Sequence, residues 1–307
     1  MNLPFLGEIC SVGAALLWAA AVVLFRKSGE RVAPFDLNLF KTVISLALFL
    51  PTIPLMGESL VPDNPLDDWL WLLAAGLVGV SLADTLFFIA LDRLGAGLTA
   101  VVDCLYSPSV ILFSFLFLGE RIGLFGYLGA GCVISAILVG AAGGALPGTS
   151  RRDLVLGIVT GVLSMICMAL AVVMTKEVLD RSPVLWTSTV RLLGGAAGLL
   201  LLALIVPRWR GSFGVFRPRR VWRVMLPGSV LGNYVAMIVW IAGVKYTLAS
   251  TAAILNQLST IFIFLLAAVF LAERISLRRG IAVTLAVAGA VLVAAQDMLR
   301  QWLQEML

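Results

Sequence analysis

Four fully charged side chains stand well inside otherwise apolar stretches of this chain, and they are the first candidates for chemistry: Lys41, Asp84, Asp103 and Arg191. An ionisable group deep in a long apolar run costs at least about 2.5–3.5 kcal/mol to place in hydrocarbon, so each needs a partner or a task. Two carboxylates and two cations suit proton transfer, the binding of a charged group, or ion pairing that pins helices together. Other chemistries lack their residues. Histidine is absent from all 307 residues, which removes HExxH-type zinc sites and any serine–histidine or cysteine–histidine catalytic pair. Cys10, Cys104, Cys132 and Cys167 lie singly in apolar runs with no C-x-x-C pair, and they read as core-filling residues. A local G-x-S at Gly79 and Ser81 has no histidine base beside it and reads as a small-residue helix contact. No catalytic residue, metal site or cofactor is expected, so the chain is not expected to be an enzyme.

The elements that must hold these residues are membrane helices. Hydrophobic residues make up 61% of the chain and charged residues 13%, with a mean hydropathy of +1.06, whereas about a quarter of the residues in a soluble domain are charged. A span needs roughly 20 apolar residues to cross the hydrocarbon. Cutting at charge clusters and Pro/Gly punctuation predicts spans at 6–25, 36–56, 69–91, 95–118, 122–143, 154–175, 183–206, 223–244, 248–271 and 279–296. Trp69, Trp71, Trp186, Trp209, Trp222 and Tyr246 fall at span ends, where an interfacial aromatic belt is expected. The start, MNLPFLGE, has no basic n-region and no cleavage site, so the first span is expected to persist. The net charge of +5 comes from loop arginines such as Arg208, Arg210, Arg217, Arg219, Arg220 and Arg223. Clusters of that kind beside spans report membrane orientation, and nucleic acid is not an expected partner.

The chain repeats itself. An offset of 153 brings FLFLGERIG (115–123) onto AVFLAERIS (268–276), Glu120 onto Glu273, Trp69 onto Trp222 and Gly79 onto Gly232. About one position in five is identical from 69 to 143 at that offset, without a gap. The first two spans of each half align at an offset of 150, which pairs Ala21 with Ala171 and Lys41 with Arg191. The reading is therefore a first five-helix repeat at 1–143, a linker at 144–153 and a second repeat at 154–307. Five is odd, so the second copy enters the membrane from the opposite side. The fold class that follows is all-α integral membrane, with ten transmembrane helices as two inverted five-helix repeats. In that plan a substrate site lies near the midplane at the repeat interface.

Depth groups the charges. At 1.5 Å per residue, Asp84 lies about 10 Å before the turn between spans three and four, Asp103 about 12 Å after it, and Lys41 about 8 Å beyond the first loop on the same side. Lys41 is placed to pair with Asp84 or Asp103, and one lysine cannot neutralise both. Asp103 is expected to titrate during transport or to contact a cationic or amino group of a substrate. Pro108, on the same span, leaves a carbonyl near Cys104 without its helical bond. The repeat mate of Asp103 is Asn256, and Tyr106, Ser107, Asn256, Gln257, Ser259 and Thr260 could line a shared polar cavity or bond helix to helix. Lys41 and Arg191 are expected to reach toward that cavity. Glu8 reads as a solvated end residue, and the pairs Glu120–Arg121 and Glu273–Arg274 read as structural caps at span ends. Of the 22 lysines and arginines, fifteen fall in odd-numbered loops and five in even-numbered loops and termini. The positive-inside rule then puts the odd loops in the cytoplasm and both termini outside.

Together these residues resemble the drug/metabolite transporter superfamily, in its ten-helix EamA-type branch. The resemblance is carried by Trp18 in the first span, by the basic residue early in the second span of each repeat (Lys41, Arg191), by the fourth span AGLTAVVDCLYSPSVILFSFLFLGERI (96–122) and by the glycine-rich fifth span. It covers almost the whole chain. It also implies a proline in the corresponding span of the second copy, where this chain has Ile261, and cytoplasmic termini, against the charge count. What it implies for function is export or exchange of small metabolites or drugs by a secondary transporter. A flippase or enzyme acting on lipid and a non-transporting scaffold are the alternatives. The expected partners are a small-molecule substrate and the lipid bilayer of a bacterial plasma (inner) membrane, with coupling to protons or a counter-substrate left open. No Walker A motif is present to couple ATP directly.

Overall fold

Inside hydrocarbon no water is available to pair with backbone N–H and C=O groups, so long apolar runs fold as helices that satisfy their own backbone. A computed structural model of the chain describes residues 5–118, 123–142, 149–206, 211–217, 220–246, 255–273 and 276–295. The first half contains α1 (Leu6–Gly29), α2 (Pro34–Leu55), α3 (Leu66–Gly76), α4 (Asp84–Asp103), α5 (Tyr106–Leu118) and α6 (Leu124–Ala142). The second contains α7 (Arg151–Arg181), α8 (Val184–Ile205), α9 (Trp222–Ser229), α10 (Ala236–Tyr246), α11 (Leu258–Phe270) and α12 (Leu277–Ala294). Among the described residues there is no β-strand.

Several boundaries follow from local chemistry. Proline opens α2, where its missing N–H costs nothing. The hydroxyls of Ser150 and Ser276 accept from the backbone N–H of Asp153 and Arg279 and so cap α7 and α12. Gly95 has φ 78° and ψ 173°, a backbone that a side chain would strain. It separates the third span, which α3 begins, from the fourth, which starts at Ala96.

Two π-helical turns sit at repeat-equivalent places. Leu77–Ala83 joins α3 to α4, and Val230–Val235 joins α9 to α10. In each turn a glycine lies against the first span of the other half: a Cβ on Gly79 would stand 2.8 Å from the Ala171 Cβ, and one on Gly232 would stand 2.5 Å from the Ala21 Cβ. Ser81, the other half of the G-x-S, lies 2.8 Å through its Oγ from where a Gly198 Cβ would be. Both fourth-type spans are also interrupted. The helix breaks at Cys104–Leu105, one turn before Pro108, and again at Gln257, although Ile261 stands where the proline would be.

Packing repeats with the sequence. α1 packs on α9, α10 and α11 of the opposite half, while α7 packs on α3, α4 and α5. α2 meets α8, and α6 meets α12. Short ties hold the odd-numbered loops to one another: Arg26 to Asp92 at 3.2 Å, Arg93 to Asp153 at 3.2 Å, and Arg278 to the Ala142 carbonyl at 3.3 Å. On the other face Arg181 pairs with Asp68, and Asn64 donates to Ser182 Oγ at 2.8 Å. The odd loops therefore share one surface, and the second and sixth loops share the opposite one.

Candidate functional site

Between the halves lies a cavity of about 590 Å³. Its wall is built largely of repeat mates: Ala14 with Ser164, Trp18 with Met168, Asp84 with Met237, Phe87 with Trp240, Asp103 with Asn256, Tyr106 with Ser259, and Ser107 with Thr260. Such a wall surrounds the pseudo-two-fold axis. Trp240 lies midway along α10, Val110 lies in α5 beyond Pro108, and Val293 is near the end of α12, each on the part of its span that runs toward the even-numbered loops or the C-terminus. The cavity thus extends from the middle of the protein toward the even-loop face.

Toward the odd-loop face the space is filled with aromatic rings. Phe25 meets Phe88 edge-on at 5.2 Å, Phe40 meets Trp222 at 5.0 Å and stacks on Phe216 at 5.8 Å, and Trp18 lies 6.1 Å from Phe87. The Arg26–Asp92 tie closes over this cluster.

The four intramembrane charges are handled differently. Lys41 forms an ion pair with Asp84, and its ammonium also sits 5.7 Å from the centre of the Phe88 ring. Asp84 is on the cavity wall with the lysine behind it, so of the two possible partners Lys41 takes Asp84. Asp103 lies on the wall within range of the Asp84 charge. Among the described residues it has no hydrogen-bond or ion-pair partner. Arg191 stands behind the π turn, 3.4 Å from where a Gly79 Cβ would be, and not on the wall. It is within electrostatic reach of Tyr106 and Asp84, and its Nε is buried with no hydrogen-bond partner.

The aim of Asp84 depends on the π turn before it. A π turn leaves carbonyls without helical partners, and two buried side chains meet them. Asn38 donates from Nδ2 to the Val80 carbonyl at 2.7 Å and to Thr85 Oγ1 at 3.0 Å, while Ser164 Oγ donates to the Ala83 carbonyl at 2.8 Å. At the second π turn the mates of Asn38 and Ser164 are Ser188 and Ala14, and among the described residues neither donates to a carbonyl of that turn.

The helix-end acids also have a place. The Glu273 carboxylate accepts from the backbone N–H of Ala96 at 2.7 Å and of Gly97 at 3.1 Å, and Arg279 lies 3.7 Å from it. It caps not its own helix but the start of the fourth span in the other half, with Arg279 beside it. Glu120, Arg121 and Arg274 lie outside the described residues. Of the residues singled out in the sequence, Asp84, Asp103, Tyr106, Asn256 and Gln257 lie on one wall, while Lys41 and Arg191, expected to reach toward the cavity, do not line it; Trp240, Ser164, Asn38 and the methionines were not singled out. Repeat arithmetic could have found Trp240, the mate of Phe87.

Comparison with known proteins agrees with this architecture. The EamA-like transporter family matches residues 5–140 and again 155–295. An uncharacterized transporter of Archaeoglobus fulgidus is 26% identical over 272 residues, covering 88% of this chain and 91% of its own. A protein of known crystal structure, 21% identical, superposes with a TM-score of 0.67 over 96% of this chain and 98% of its own, a likeness of fold. With one family matching each half in turn, the chain belongs to the EamA-like transporter family and is an integral membrane transporter of the drug/metabolite kind.

Proposed function

We propose that the chain is a secondary carrier that moves a small molecule by alternating access, rocking its two five-helix halves around the central cavity. The observation that carries this reading is the enclosure of one cavity by repeat mates from both halves, including Asp103 opposite Asn256. In it, Asp103 binds substrate or takes up a proton, and Tyr106, Asn256 and Gln257 supply neutral hydrogen bonds. Asp84 and Lys41 form a polar support on the wall, and Arg191 acts on them through its field. The ring cluster under the cavity supports a conformation sealed on the odd-loop side and facing the even-loop side. By the lysine and arginine distribution the even side is away from the cytoplasm, in a plasma membrane.

The test is a single cysteine at Ser107 in an otherwise cysteine-free chain, with a membrane-impermeant thiol reagent applied from each side of inside-out and right-side-out vesicles. A carrier labels from either side, with the ratio shifted by transported substrate. Labelling from one side only, under all substrates and gradients, overturns the reading. Uptake and efflux in proteoliposomes, with and without a proton gradient, then assign direction and coupling.

A further inference from the structure

Resting on the carrier reading, we infer that the cavity takes an organic monocation with a flat aromatic or apolar body. The charge on its wall is one-sided. Asp84 and Asp103 line it, and no lysine or arginine does among the described residues. A phosphate or carboxylate in that space would face two acids with no cation, in surroundings where little water screens the repulsion. A zwitterion would leave its own carboxylate in the same position.

The size of the positive charge follows from how the two acids are held. Lys41 offsets Asp84 from behind, so that pair faces the cavity as a nearly neutral unit. Asp103 is the acid without a direct partner among the described residues, and one open carboxylate calls for one positive charge. Arg191 reaches Asp84 and Tyr106 through its field, but it lies behind the π turn at Gly79 and offers no donor on the wall to a bound anion.

The remaining wall describes what carries the charge. Trp18, Phe87 and Trp240 present aromatic rings, and Met165, Met168 and Met237 present thioethers. Ring faces attract cations whose hydration shell is thin, and thioethers adapt to flat apolar surfaces. A small inorganic cation would instead want a cage of oxygens. At about 590 Å³ the cavity has the capacity of a drug-sized binding site.

Four indole compounds isolate the charge while keeping the skeleton: tryptamine (cation), tryptophol (neutral), tryptophan (zwitterion) and indole-3-propionate (anion). Binding to the purified full chain is measured by calorimetry and by the shift in thermal unfolding, apart from any transport. Tryptamine is expected to bind about thirtyfold or more tightly than the other three, and Asp103→Asn to bring it down to the level of tryptophol. The double variant Asp103→Asn/Asn256→Asp moves the carboxylate across the axis to its repeat mate and is expected to restore preference for tryptamine. It guards against reading a misfolded single variant as lost recognition. Tighter binding of tryptophan or indole-3-propionate, or an undiminished tryptamine preference in Asp103→Asn, overturns the inference. Selective tryptamine binding with one-sided Ser107 labelling would keep the inference and sink the carrier reading, so the two fail separately.

Discussion

Gln257 donates from Nε2 to Ser107 Oγ at 2.9 Å across the two halves, and the chain makes that contact twice. The repeat mates of these residues, Cys104 and Thr260, meet at 3.3 Å between Sγ and Oγ1. Spans four and nine are thus stitched on either side of the pseudo-axis, where both helices are broken. If the halves rock there, a covalent link between them should stop the cycle. Thr260→Cys, in a chain that keeps Cys104 as its other thiol, is expected to cross-link under mild oxidant and lose transport, with recovery on reduction. Full transport by the cross-linked protein would mean that this crossing does not move.

The Lys41–Asp84 pair should be asymmetric in its sensitivity. Removing the lysine alone leaves a partly buried carboxylate uncompensated, a change that costs about 3–5 kcal/mol in buried pairs, whereas removing both charges together is much milder. Lys41→Met should therefore lower unfolding temperature in detergent more than Lys41→Met/Asp84→Leu does. Equal losses would show that the pair contributes little.

Asn38 is expected to act on Asp84 through the π turn. Asn38→Leu strands the Val80 carbonyl, at a cost of about 1–3 kcal/mol. If the turn then winds to an α-helix, residues beyond it rotate by about 100° per residue lost, which carries Asp84 away from Lys41. Ser188→Leu, at the mate position on α8, should leave the Lys41–Asp84 pair intact. The readout is the reactivity of a cysteine at Phe87, on the cavity wall beyond the turn, in each background, which a uniform loss of stability would not shift between the two variants.

Glu273 holds the other half's fourth span by its N-terminal amides. Glu273→Ala should cost about 1–2 kcal/mol and speed hydrogen exchange at Ala96 and Gly97 while leaving α12 protected. Glu273→Gln retains an acceptor and should fall between the two. Exchange unchanged at those amides would remove the cap from the account.

Orientation can be read from loops on the two faces. Cysteines at Ser59 in the second loop and at Gly211 in the seventh should label from outside and from the cytoplasm respectively, because fifteen of 22 lysines and arginines lie in odd loops. The reverse pattern would mean that the family's expectation of cytoplasmic termini overrides the charge count.

Span positions, the duplication and the inversion are legible in the sequence because they rest on hydropathy and on Glu120 aligning with Glu273, signals that survive averaging along a helix. Asp84 and Asp103 stand out because a carboxylate in an apolar run has few innocent explanations. Trp240, Met168 and Phe87 do not, since an apolar residue facing a cavity has the same composition as one facing lipid. The π turns are invisible for a different reason: slipping one hydrogen-bond register changes no residue type, and Gly79 and Gly232 are ordinary for a membrane helix. Glu273 reads as a helix-end acid, but that its amides belong to the other half depends on a tertiary approach that no local pattern encodes.

Glycine seams set the mechanics of the whole. Where α6 meets α12, a Cβ on Gly129 would stand 2.5 Å from the Gly289 carbonyl oxygen, and one on Gly289 would stand 2.6 Å from that of Gly129. Two backbones touching so closely, with nothing compressible between them, behave as an axle rather than a sliding bearing. The same backbone contact recurs where α3 meets α8, with Gly76 against the Arg191 carbonyl and Gly194 against the Leu73 carbonyl, so distances between probes across either seam should hold constant through the cycle while pairs remote from both lengthen or shorten.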